Sequence, residues 1–163
     1  MTGSRTLVVY YSRTGTTRRL AEALAKALGA DIEPIVDRTN RSGILGYLRS
    51  IAEALQRRHA PAEPAKIDPR SYDLVVVGTP VWAWSASSPV RSYLAANRER
   101  LPDVAFFCTM GARGGERAFE EMQAIAAKAP RAGCAVTARE VASEAYGEQM
   151  ARFLEQLKTP RAA

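Results

Sequence analysis

Short apolar runs alternate along the chain with longer segments in which apolar residues recur every three or four positions. The runs predict β-strands, and the periodic segments predict α-helices. Strands are predicted at residues 5–11, 31–36, 73–78, 104–108 and 134–141. Helices are predicted at residues 16–28, 44–58, 116–128 and 146–157, and another is predicted to begin at Pro89. This alternation is typical of α/β proteins, in which a parallel sheet carries helices on both faces.

The length and the continuity of the pattern predict one domain. Leu20, Leu24 and Leu28 mark one face of the first helix, and Gly29 is a natural stop for it. The chain has 163 residues, with no internal repeat and no low-complexity linker. We therefore predict a single domain spanning residues 1–163, with a frayed tail at residues 159–163.

Three loops of unusual composition follow the first, third and fourth predicted strands. They are residues 12–17, 79–88 and 109–115. Right-handed crossovers leave few strand orders for such a chain. In the order 2-1-3-4-5 the three strands are neighbours, and ligands of open α/β sheets bind beyond the carboxyl ends of the strands. We therefore predict a doubly wound, five-stranded parallel sheet whose three loops line one crevice.

The first of these loops has the composition of a phosphate site. It reads Ser-Arg-Thr-Gly-Thr-Thr and runs directly into the first helix, where unpaired N–H groups and the helix dipole favour an anion. Four hydroxyl groups and one small residue, which allows close approach of the backbone, come from Ser12, Thr14, Gly15, Thr16 and Thr17. The alternative is an ordinary helix cap, for which one Ser or Thr is sufficient. The number of hydroxyl groups favours phosphate.

The second loop contains both tryptophans of the chain, Trp82 and Trp84. Indole rings in an exposed loop leave apolar surface in water unless a flat ligand covers them. Stacking on such a ligand contributes about 0.5–1.5 kcal/mol beyond the burial of area. The alternative is that both rings fold back over the core. Because the phosphate loop lies one strand away, we favour a flat aromatic ligand for at least one of them.

Composition and charge exclude several classes of function. The net charge is +6, but no run of Lys and Arg exceeds two residues, which argues against a nucleic-acid interface. His59 is the only histidine, and Cys108 and Cys134 form no Cys-x-x-Cys motif, so we predict neither a metal site nor a disulfide framework. No apolar run is long enough for a transmembrane helix, and no secretory signal is recognised, so we expect a cytoplasmic protein.

The motifs and their order resemble the short-chain flavodoxin family over essentially the whole chain. Residues 12–17 match the family's phosphate-loop pattern S/T-x-T-G-x-T at every specified position. Residues 72–82 are similar to its third strand and flavin-stacking loop, and residues 89–94 to the helix that follows. Residues 106–111 are similar to its fourth strand and second flavin loop. The resemblance implies a flavodoxin-like fold and FMN bound without a covalent link.

The resemblance also implies which residues bind the cofactor. The 5′-phosphate is expected in the first loop, and the isoalloxazine ring between the other two. The implied phosphate-binding residues are Ser12, Arg13, Thr14, Gly15, Thr16 and Thr17. The implied ring-binding residues are Thr79, Pro80, Val81, Trp82, Ala83 and Trp84 on one side, and Thr109, Met110, Gly111 and Gly114 on the other. For the Arg13 side chain, contact with the phosphate and exposure to solvent both stay open.

The charge of the chain departs from that of electron-carrier flavodoxins, which are strongly acidic around the flavin. This chain is basic, and Arg113 lies within the third loop, with Arg117 just after it. A cation near the ring raises the reduction potential of a flavin, whereas a solvated Arg113 has no such effect. The expected partner is an acidic redox protein or a small quinone-like substrate. No side chain of the three loops is placed for proton transfer, so we predict no catalytic residue.

Three functions therefore remain open at this point. The first is a one-electron shuttle between proteins. The second is a small FMN-dependent reductase acting on quinones or on a porphyrin precursor. The third is a binding or regulatory module that has the same fold and no cofactor.

Overall fold

The computed structural model describes residues 3–37 and 64–160, so the helix predicted at 44–58 and His59 lie outside the described residues. The strands are β1 (Thr6–Tyr10), β2 (Asp31–Pro34), β3 (Leu74–Trp82), β4 (Ser85–Ala86), β5 (Asp103–Met110) and β6 (Gly133–Thr137). The helices are α1 (Thr16–Leu28), α2 (Ser88–Asn97), α3 (Gly115–Ala126), α4 (Ala138–Ala142) and α5 (Gly147–Lys158).

Five of the strands form a parallel sheet in the order β2-β1-β3-β5-β6. The register places Val8 of β1 between Ile32 of β2 and Val76 of β3, and Val76 beside Ala105 of β5. With β5 and β6 counted as the fourth and fifth strands, the predicted order 2-1-3-4-5 is confirmed. The carboxyl ends of β1, β3 and β5 are therefore neighbours at one edge of the sheet.

Alternating strand residues build two apolar layers, one on each face of the sheet. Val9, Val77 and Phe106 pack towards α2 and α3, whose buried residues include Leu94 and Met122. The opposite face of the sheet packs on α1 and α5, so helices cover both faces as predicted. The main residues of this second layer are Val8, Val76, Phe107, Leu20, Leu24 and Phe153. No helix within residues 3–37 and 64–160 is long and apolar enough to cross a bilayer.

Two predicted strand ends are wrong by four residues. The strand predicted to end at Gly78 continues as β3 to Trp82, and β4 then pairs antiparallel with it. The strand predicted at 134–141 ends at Thr137, because Thr137 caps a short helix, α4. Its Oγ1 accepts a hydrogen bond from the Glu140 N–H (3.1 Å), and its own N–H donates to Glu140 Oε2 (2.8 Å). This reciprocal capping box starts a helix at Ala138, so the predicted strand ends there.

Gly78 is the point at which β3 needs a glycine. It lies beside Phe107 of β5 in the sheet, and the Phe107 ring covers the space that a Cβ at Gly78 would occupy. Glycine at this position therefore leaves room for the Phe107 ring immediately before Thr79, where the second loop was predicted to begin.

Candidate functional site

The first loop joins β1 to α1 through a left-handed glycine. Gly15 is the N-cap residue of α1, with φ 97°, and its N–H donates to Ser12 Oγ at 3.0 Å. No side chain caps this helix, and its first turn contains no acidic residue. The ordinary-cap alternative therefore does not describe the loop. Because the first intrahelical bond runs from Arg19 N–H to Gly15 O, the N–H groups of residues 16–18 are not used within the helix.

The hydroxyl groups of this loop differ in exposure. Thr14 is exposed, and Ser12 and Thr16 are half-buried. Thr17 is only 1% exposed, and its Oγ1 lies 2.7 Å from Oγ1 of Thr109, at the end of β5. A buried hydrogen bond thus joins the first predicted loop to the third. Arg13 is half-buried.

The second predicted loop is a β-hairpin rather than an irregular loop. Trp82 of β3 pairs with Ser85 of β4, and Ala83 and Trp84 form the two-residue turn between them. Both turn residues have positive φ, 49° and 62°. This is the pattern of a type I′ turn, whose twist matches that of the paired strands.

The hairpin separates the two indole rings. Trp82 is 8% exposed and packs edge-on against Tyr11, with ring centroids 5.8 Å apart and planes at 86°. Trp84 is 55% exposed at the tip. The alternative, in which both rings fold back over the core, thus describes Trp82 and does not describe Trp84, whose ring is left accessible to a ligand.

Buried hydroxyl groups close the base of the hairpin. Thr79 Oγ1 accepts a hydrogen bond from the Ser87 N–H at 2.9 Å and lies 3.2 Å from Ser87 Oγ. Both residues are 0% exposed. Thr79, one of the predicted ring-binding residues, therefore joins the two ends of the hairpin with its hydroxyl group.

The third loop touches the hairpin tip. Gly114 is the N-cap residue of α3 and has a left-handed backbone conformation, with φ 107°. No side chain caps this helix. A Cβ at Gly114 would lie 3.0 Å from Trp84 Cδ1 and from Val81 Cγ1, so the two loops are in contact there. Gly111 and Arg113 are exposed, and Met110 is half-buried.

A groove of about 1030 Å³ opens beside this contact and extends along α3. Of the predicted site residues it includes Trp84, Met110 and Gly114. Its wall also contains Arg91 and Glu121, which the sequence analysis missed. No residue of the first loop lines it, but the Thr17–Thr109 hydrogen bond joins that loop to the end of β5, next to Met110 in the wall of the groove.

Neither cysteine is an activated nucleophile, and the described residues contain no metal-binding cluster. Cys108 and Cys134 are free and buried, and burial raises the pKa of Cys108 to about 12 and that of Cys134 to about 11. Both thiols therefore stay protonated at neutral pH. Within residues 3–37 and 64–160, no group of three His, Cys, Asp or Glu side chains could hold a metal ion.

The strand order and the helices on both faces of the sheet define a doubly wound α/β protein. Residues 5–145 match the family model described as flavodoxin, and the chain therefore belongs to the flavodoxin family. No curated protein sequence matches the chain significantly.

Solved structures share the fold at low sequence identity. A flavoprotein from Lactobacillus acidophilus NCFM, solved in complex with FMN, is 17% identical, with a TM-score of 0.69 over 89% of this chain and 99% of that one. The flavodoxin of Fusobacterium nucleatum, solved with flavin mononucleotide, is 9% identical, with a TM-score of 0.62 over 96% and 98% of the two chains. An NADPH-quinone reductase from P. pentosaceus is 13% identical, with a TM-score of 0.53 over 97% and 99%. At these identities the likeness is one of fold.

Proposed function

We propose that the chain binds FMN without a covalent link and takes part in redox chemistry. The observation that carries this proposal is the first turn of α1. Its N–H groups are uncapped by any side chain, it follows a left-handed Gly15, and no carboxylate lies in it to repel a phosphate. Backbone donors and the helix dipole at such a terminus favour a dianionic phosphate. The exposed Thr14 and the half-buried Ser12 and Thr16 add hydroxyl donors beside it.

The second and third loops suit the isoalloxazine ring. Trp84 offers an exposed indole face, and Met110 and Gly114 border the same groove. Gly114 has no side chain that would fill the space next to Trp84 Cδ1. An exposed aromatic face beside such a space is a common setting for a flat cofactor.

FMN, when bound, supplies both one-electron and two-electron chemistry. The residues of the chain would bind and orient it. Arg113 and Arg117 line the groove as exposed cations, but the lining as a whole holds three arginines and three glutamates, so it adds no net charge beside the ring. We propose an acidic redox protein or a small quinone-like molecule as the partner. Stopped-flow oxidation of the reduced protein by a quinone and by an acidic ferredoxin-type protein separates reductase from shuttle, since the faster acceptor identifies the role.

A flavin titration tests the proposal directly. The purified protein is expected to show flavin absorption in the visible region and to bind FMN more tightly than riboflavin. Each hydrogen bond to a charged group contributes about 1.5–3 kcal/mol, so Ser12→Ala combined with Thr14→Ala should weaken FMN binding at least tenfold. The same variant should change riboflavin binding little, because riboflavin lacks the phosphate.

Ser143→Ala is the matched control for this titration. The exposed Ser143 hydroxyl, at the C-cap of α4, donates a local hydrogen bond to Arg139 O. The variant is expected to bind FMN as the wild type does. A wild-type protein that binds neither flavin overturns the proposal and favours a cofactor-free module.

A further inference from the structure

The turn of the β3–β4 hairpin has a backbone conformation that its residues disfavour. Asn and Gly adopt positive φ most readily in a two-residue turn, yet here Ala83 and Trp84 have φ 49° and 62°. Residues with a Cβ are strained in this region, and such strain persists only where surrounding contacts fix the structure. Contacts outside the turn must therefore hold Trp84 in place.

A chain of polar contacts links the hairpin to the helices behind it. Ser85 Oγ donates to Glu121 and lies 2.8 Å from each of its carboxylate oxygens. Glu121 Oε1 in turn lies 3.8 Å from Arg91 Nε. The side chain of Arg91 is 1% exposed and that of Glu121 is 18% exposed. Residues of β4, α3 and α2 are thus joined immediately behind the turn.

This ion pair is poorly explained by stability alone. A buried ion pair contributes little more than a well-packed apolar pair of the same size, because both charges lose their hydration. The pair does fix the orientation of the Glu121 side chain, since Glu121 must face both Arg91 and Ser85. Its position next to the strained turn, with Arg91 and Trp84 in the wall of the same groove, points to placement of the hairpin tip.

We propose that Ser85, Glu121 and Arg91 are positioning residues that hold Trp84 in the orientation needed to cover the isoalloxazine ring. This inference rests on the proposed binding of FMN. The three residues act through the hairpin. The affinity for the isoalloxazine ring therefore depends on them, whereas the affinity for the phosphate does not.

Ser85→Ala is the variant of choice, because it removes one hydroxyl and leaves the Arg91–Glu121 ion pair in place. We expect the dissociation constants of FMN and riboflavin to rise by the same factor, about tenfold, since both ligands carry the ring. Glu121→Gln should act in the same direction. Ser143→Ala, which removes an exposed hydroxyl at the C-cap of α4, should leave both constants within about twofold of the wild type.

A double-variant cycle separates positioning from simple stabilisation. In a Trp84→Ala background, Ser85→Ala should cause no further loss of flavin affinity, because the residue through which it acts is gone. A loss of affinity that persists in that background overturns the inference. So does a Ser85→Ala protein that melts at a lower temperature and binds FMN like the wild type. If the wild type binds no flavin at all, the proposed function fails, and this inference fails with it.

Discussion

The buried hydrogen bond between Thr17 and Thr109 allows a quantitative test of how the first and third loops are joined. The two Oγ1 atoms are 2.7 Å apart, and the residues are 1% and 4% exposed. Thr109→Val keeps the shape of the side chain and leaves the Thr17 hydroxyl buried without this partner. Such a group costs about 1–3 kcal/mol. We expect the free energy of unfolding to fall by about this amount, and each kcal/mol should lower Tm by about 2–4 °C in a domain of this size.

The combination of Thr17→Val and Thr109→Val makes the prediction specific. The double variant removes both hydroxyl groups, so no unpaired group stays buried, and its loss should be smaller than the sum of the two single losses by about 1 kcal/mol. Urea unfolding of the flavin-free proteins, followed by circular dichroism, measures the free energy of unfolding of the wild type, the two single variants and the double variant. Thr14→Val is the control partner, since Thr14 is exposed and its effect should simply add. Losses that add to within about 0.3 kcal/mol for Thr17 and Thr109 would refute the coupling.

Three further predictions concern the frame of the site. Gly78→Ala should destabilise the fold by about 1–3 kcal/mol, because the added Cβ meets the ring of Phe107 on β5. Gly147→Ala is the control, since a Cβ there has nothing within 4 Å and should not destabilise the fold. Equal melting temperatures of the two variants would contradict this prediction. Thr137→Ala should cost about 1 kcal/mol in thermal unfolding through loss of the capping box; no change would show that the cap is not stabilising. Cys108 and Cys134 should not react with a thiol reagent at pH 8 until the protein unfolds. Because burial raises their pKa values to about 12 and 11, the stability they contribute is complete below about pH 8.5 and is lost as the pH rises towards those values; stability that is unchanged up to pH 11 would contradict this.

The strand order was predictable because it depends on patterns that are local in the sequence. Continuous apolar runs identify buried parallel strands, and the handedness of crossovers limits their order. The position of the first loop, between β1 and α1, was predictable for the same reason, since Gly15 and its neighbouring hydroxyl groups lie within six consecutive residues.

The hairpin was not predictable, because it lacks the usual signal for such a turn. Ala83 and Trp84 occupy positions that Asn and Gly normally fill, so the sequence indicated a loop. Contacts with Glu121, more than 30 residues away, hold the hairpin in place, and no local pattern contains them. The distinction between a buried Trp82 and an exposed Trp84 follows from that hairpin.

Two other features had a signal that the sequence analysis did not use. Thr137 and Glu140 form the T-x-x-E pattern of a capping box, but the apolar residues around them favoured a longer strand. Arg91 lies three residues before the buried Leu94 on α2, so it is a charged residue on the inner side of an amphipathic helix. A charge at such a position indicates a buried partner, which here is Glu121.

The central claim is that α1 binds the phosphate of FMN while the hairpin and the third loop hold its ring. The ¹H–¹⁵N NMR spectrum of the labelled, flavin-free protein, recorded as FMN is added, tests both parts at once. We expect the largest shifts at the backbone amides of residues 13–17 and 111–114 and at the indole N–H of Trp84. Riboflavin should reproduce the shifts of the ring-binding loops and leave those of residues 13–17 nearly unchanged. Saturating FMN that shifts none of these signals, or only signals elsewhere in the protein, would contradict the account.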